Sequence, residues 1–143
     1  VTGMLLALLM QATAPAVAPP PVVPTTPPMR RGQQIEWQVL PPMPYREPPQ
    51  LTEAMTQFVA AEVASGRCRP HASRGTRHRI QADVAVLVTP EGGARVTIPR
   101  AIACPTVEQY AAGLVLGFAR NNLSTRSSVS QWFRATLTFE WTA

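Results

Sequence analysis

The sequence predicts an α+β domain: a three-stranded antiparallel sheet with two helices packed on one face, in the chain order α-β-β-α-β. Three observations predict it. Apolar side chains recur at every second position across 80–89 and again across 133–141, the period of a half-buried strand. They recur at helical spacing across 51–63 and 107–118. Pro90-Glu91-Gly92-Gly93 supplies turn chemistry for a hairpin between the first two strands.

The folding unit falls at 51–143, because twelve of the sixteen prolines lie between Pro15 and Pro49. Proline removes a backbone donor and fixes φ, so such a stretch builds no packed core. Residues 15–50 are therefore expected to form a semi-rigid, polyproline-like linker. Within it Ile35, Trp37 and Val39 alternate briefly. This piece is expected to dock on the domain or to lie loose, with a Pro-rich ligand segment as the alternative.

In the first helix Leu51, Met55, Phe58, Val59 and Val63 form the apolar stripe. Thr52 is the expected N-cap, Glu53 suits the first turn, and Gly66 stops the helix. Residues 67–79 have no apolar period and are expected to form a basic loop. The first strand puts Ile80, Ala82, Val84, Val86 and Val88 on one face. On the returning strand Ala94, Val96 and Ile98 are expected to face inward, with Arg95 and Thr97 outward; Pro99 limits further pairing. The second helix opens at Pro105, with Thr106 and Gln109 expected as a capping box. Its stripe is Val107, Tyr110, Ala111, Leu114, Val115 and Phe118, and Asn121-Asn122 ends it. A Ser/Thr-rich loop, 123–131, precedes the last strand. There Phe133, Ala135, Leu137, Phe139 and Trp141 alternate with Arg134, Thr136, Thr138 and Glu140. A right-handed crossover places this strand beside the first, giving the order second, first, third. The C-terminal strand is then an edge with free backbone donors and acceptors.

The net charge is +5, and all thirteen basic residues are arginine. That balance suits anionic partners and equally aids solubility. Arg67, Arg69, Arg74, Arg77 and Arg79 are the candidate contacts to phosphates of lipopolysaccharide or cell-wall polymers; a solvated loop is the alternative. No aromatic residues interleave with them, which argues against nucleic acid. No arrangement of nucleophile, base and acid recurs with catalytic logic, so the sequence points to binding and not to an enzyme, with no cofactor. Cys68 precedes the first strand and Cys104 follows the second, so a hairpin brings them together as a disulfide candidate; two separate thiols are the alternative. Cys68, His71, His78 and Cys104 supply only half of a recognised zinc pattern. Gly113 and Gly117 form a small-residue pair, expected to mark close packing on the sheet or simple tolerance. The apolar run 4–10, followed by small residues, suits export, with cleavage after Ala14 or Ala16; residues 1–14 are a signal peptide or the end of an anchor.

The stretch Ala82-Asp83-Val84-Ala85-Val86-Leu87-Val88-Thr89-Pro90-Glu91-Gly92-Gly93, continued by 94–102, Val107-Glu108-Gln109-Tyr110-Ala111-Ala112 and the final strand 132–141, resembles the C-terminal domain of the TonB family, and more distantly TolA-like domains. The resemblance covers 51–141, and a Pro-rich spacer before the domain is typical of that family. It implies a periplasmic adaptor in outer-membrane transport that captures a receptor peptide by adding it as a strand to a sheet edge. The residues it marks here are Phe133, Arg134, Ala135, Thr136, Leu137, Thr138, Phe139 and Glu140. The competing occupants of that edge are the linker piece 35–40 and a second copy of the chain in a homodimer. An envelope protein of the same fold, touching anionic polymers through the arginines of 67–79, is the second expectation.

Overall fold

The computed structural model describes residues 12–19, 34–68, 73–124 and 128–142; the apolar run 4–10 lies outside them. Thr52 starts helix α1 (Glu53–Ala64) as the sequence predicts. Its hydroxyl accepts the Met55 N–H at 3.3 Å, and the Met55 sulfur accepts the Thr52 N–H at 3.5 Å. Gly66 ends the turn at φ +76°, a conformation that suits glycine. The remaining elements are β1 (Ser73–Arg74), β2 (Arg77–Thr89), β3 (Gly93–Pro99), α2 (Pro105–Ala119) and β4 (Gln131–Thr142).

Strand β2 is central. It pairs antiparallel with β3 on one side and β4 on the other, which is the predicted strand order and the predicted α+β architecture. The two-residue β1 adds a short hairpin at the start of β2. One buried cluster joins Val59 of α1 and Val107, Ala111 and Val115 of α2 to Ile80, Val84, Val86, Leu137 and Phe139. Both helices therefore cover the same sheet face. Val59, Val84, Val86, Val107, Val115 and Phe139 are fully buried, and each such side chain contributes about 1.5–3 kcal/mol.

Four local expectations are corrected. Strand β2 begins at Arg77, inside the stretch expected to be a loop, because β4 continues far enough to pair Arg77 with Thr142 and His78 with Trp141. These residues overhang the core, so no apolar alternation marks them. On β3, Val96 sits opposite Leu87 and Ile98 opposite Ala85, on the sheet face away from the helices. A register shift beside Leu87 and Val88 reverses the parity of β3 past Ala94, so Thr97 stands on the helix side opposite Val86. At α2 the N-cap is Cys104, and Thr106 lies within the helix. Glu108 supplies the missing acceptor, its Oε2 taking the N–H groups of Ile102 at 3.2 Å and Cys104 at 3.0 Å; the Thr106 hydroxyl instead donates to Glu62 Oε2 at 2.9 Å. Last, the Pro-rich stretch is not free spacer throughout: 37–47 is hydrogen-bonded to the domain, so of the two outcomes expected for the piece 35–40 docking is the one found.

Cys68 and Cys104 form the disulfide, tying the exit of α1 to the entrance of α2. The same bond removes both thiolates from the zinc set considered above; His71 lies outside the described residues. Gly113 and Gly117 are exposed and a Cβ on either meets open space, so they tolerate substitution and make no close helix contact among the described residues. No helix among the described residues is long and apolar enough to cross a membrane.

Candidate peptide-binding edge

Strand β4 has a paired side toward β2 and an outer side. Arg134 fixes which residues point outward: its N–H donates to Pro41 O at 2.8 Å, and its carbonyl accepts from Met43 N–H at 2.9 Å. By the two-residue period of a strand, Thr136, Thr138, Glu140 and Thr142 turn their backbone groups the same way. Among the described residues no hydrogen bond satisfies those outer groups. The free edge is therefore 136–142, and 134 is occupied.

The occupant is a strap formed by 34–47. Its Pro42 makes a parallel bridge to Arg134. Past Met43, which is buried, the strap leaves the edge and clamps onto the exit of α2. Arg46 N–H donates to Asn122 O at 2.8 Å, Ser124 N–H to Pro44 O at 2.7 Å, and Asn122 exchanges two 2.9 Å bonds with the Glu47 backbone. Upstream, 37–39 is a turn and not a strand, closed by Val39 N–H to Glu36 O at 3.1 Å. Trp37 is held from two sides: Arg134 Nη1 donates to its carbonyl at 3.0 Å, and the Arg100 guanidinium stands 5.5 Å from its ring centroid. Arg100 also pairs with Asp83 at 3.3 Å, and Asp83 accepts the Thr136 hydroxyl at 2.7 Å. This network lies on the sheet face away from the helices and fixes the strap across it.

Beside the free edge, α1 and the end of β4 enclose a groove of about 410 Å³, lined by Thr52, Thr56, Gln57, Glu140, Trp141 and Thr142 among others. Its walls are a helix and a strand edge. Trp141 is braced from behind by His78, ring planes 9° apart and centroids 5.3 Å.

The eight residues marked on the last strand divide by parity. Phe133, Ala135, Leu137 and Phe139 are buried in the core and offer no side chain to a partner. Arg134, Thr136, Thr138 and Glu140 carry the outer backbone groups, with Arg134 engaged by the strap. Three of the five arginines have described side chains, and these do not converge. Arg67 pairs with Glu62 at 3.2 Å and Arg79 with Glu140 at 3.4 Å, Arg77 is exposed, and Arg69 and the Arg74 side chain lie outside the described residues. Sequence reasoning missed the strap residues Pro41 and Met43, whose backbone carries the contact; an aromatic residue set inside a Pro-rich run, Trp37, was the available signal. No family model matches this chain, and neither does any curated protein or any solved structure.

Proposed function

We propose that this chain is a periplasmic, TonB-like protein-binding module that takes a partner peptide as an added strand along 136–142 of β4. The observation that carries the reading is the unpaired outer edge of β4 beside a helix-walled groove. Backbone hydrogen bonds along such an edge supply affinity, and a neighbouring groove sorts side chains. The strap supports it further, because the same edge already accepts an extended segment at Arg134. Such a module binds without chemistry and needs no cofactor. The reading through the arginines of 67–79 draws less support, since two of the five are held by carboxylates.

The test is titration with synthetic peptides carrying the N-terminal box of outer-membrane receptors, followed by backbone amide shifts. Shifts confined to 136–142 and the α1 side of the groove are expected. Thr138→Pro deletes an outward N–H while leaving the ladder to β2 intact, as proline is tolerated on edges. It is expected to weaken binding about tenfold with the core spectrum retained. Shifts that map away from 136–142, or no binding by any such peptide, contradict the proposal.

A further inference from the structure

The hairpin turn between β2 and β3 and the exit of α2 border a second cleft of about 720 Å³. Three arginines line it: Arg46, Arg95 and Arg120. They are distant in sequence, and the fold brings them together. Arg46 arrives on the strap, with its Nε bonded to Leu123 O at 3.0 Å. Arg120 is the C-cap of α2, followed by Asn121 at φ +53°. Arg95 follows Ala94, where the register shift leaves it without a cross-strand partner, and its side chain occupies the space a Cβ on Gly92 would need.

None of the three forms an ion pair among the described residues, where the pairs are Arg67–Glu62, Arg79–Glu140 and Arg100–Asp83. Glu91 is the one carboxylate in the lining. A half-enclosed cleft with such an excess of positive charge concentrates anions, because low-dielectric walls focus the field. Guanidinium forks match the oxygens of phosphate and hold them by charge-assisted bonds. The volume is that of sites that hold a whole small molecule, roughly 300–1,000 Å³, and exceeds what a single oxyanion fills. We propose that this cleft binds a polyphosphorylated group, with Arg46, Arg95 and Arg120 as its contacts. The site is separate from the free β4 edge, which lies at the other end of the sheet. It is also separate from the basic stretch 67–79: Arg77 and Thr89 are opposite ends of β2, roughly 40 Å apart at strand rise.

Inorganic tripolyphosphate is the probe, titrated into the full chain while backbone amide shifts are recorded. Saturable shifts in 89–95 and 119–123 are expected. Arg95 and Arg120 are exposed, so R95Q/R120Q keeps the fold while Arg46 still anchors the strap. This double variant is expected to bind at least about tenfold more weakly, and R77Q/R79Q to bind as the parent does. Co-sedimentation with vesicles of cardiolipin, whose headgroup carries two phosphates, and phosphatidylcholine distinguishes the sources. Pelleting that R95Q/R120Q abolishes assigns a lipid headgroup; tripolyphosphate binding without pelleting assigns a soluble polyphosphate. The proposal is overturned if tripolyphosphate leaves 89–95 and 119–123 unshifted, or if the weakening follows R77Q/R79Q instead.

Discussion

Asp83 is the buried carboxylate of the sheet face that the helices leave open, 7% exposed. It accepts from Thr136 at 2.7 Å, Arg100 at 3.3 Å and Gln81 at 3.4 Å, and so joins β2, β4 and the segment after β3. Removing one partner of a fully buried pair costs about 3–5 kcal/mol. Here Arg100 is half-exposed and returns to water, so the cost falls toward that of one charge-assisted bond. Asp83→Ala is expected to lower unfolding free energy by about 2 kcal/mol in denaturant titration. It should also loosen the strap, because Arg100 loses the anchor that holds it over Trp37.

Tyr45 shows the opposite economy. Its hydroxyl is buried with no hydrogen-bond partner among the described residues, and burial pushes its pKa up to about 12. An unpaired buried hydroxyl is a net cost, so Tyr45→Phe is expected to stabilise the fold by up to about 1 kcal/mol. The pH dependence follows from the direction of the shift. The unfolded chain loses this proton near pH 10 and the folded chain near 12. The contribution is therefore complete below pH 10 and fades as pH rises toward 12. Denaturant midpoints across that window should fall more steeply for the parent than for Tyr45→Phe.

At the scale of elements, the disulfide ties α1 to α2, and the strap ties 37–47 to β4 and the exit of α2. The Cys68–Cys104 bond closes a loop with a sequence separation of 36. By the chain-entropy relation that loop contributes about 4 kcal/mol. Cys68→Ser with Cys104→Ser is expected to lose about that amount, measured as the difference in unfolding free energy from the oxidised parent.

The same scale explains what the sequence does and does not disclose. The alternation at Ile80, Val84 and Val86, the α2 stripe and the cysteine pair were legible, because burial on one face leaves a period. Val96 and Ile98 were not, because one bulged residue reverses a strand's parity without any residue type announcing it. Val96, 44% exposed, shows the consequence. Arg77 and His78 were hidden for another reason: their strand pairing is a backbone property, and their side chains lie beyond the core. Docking of the piece 35–40 was foreseen, but the residues that make the edge contact, Pro41 and Met43, were hidden among the prolines. Such a segment forms no core of its own, yet its carbonyls still accept bonds, and Pro41 O receives the Arg134 N–H.

For the whole molecule, the sheet presents two faces and an outer edge. One sheet face is closed by two helices. The other carries the upstream part of the strap, where Arg100 and Arg134 hold Trp37. Between them runs the outer edge of β4, occupied at Arg134 and, among the described residues, open beyond it. A long open edge is normally a liability, and proteins blunt it with charge, proline or a covering segment. Here the covering segment stops short of the groove beside α1, the placement on which the proposed strand addition rests. Of this edge, the strand and its two-residue period were legible in the sequence; the division into an occupied and an open part was set by three-dimensional contacts of Pro41 and Met43.

Residue-resolved amide hydrogen exchange on the free chain tests this division most directly. The Arg134 N–H, bonded to Pro41 O, is expected to exchange slowly, together with the inward amides of Ala135, Leu137 and Phe139. The amides of Thr136, Thr138 and Glu140 are expected to exchange as open edge groups do. Slow exchange at Thr136, Thr138 and Glu140 would mean that the edge is already paired along its length, and would contradict the account.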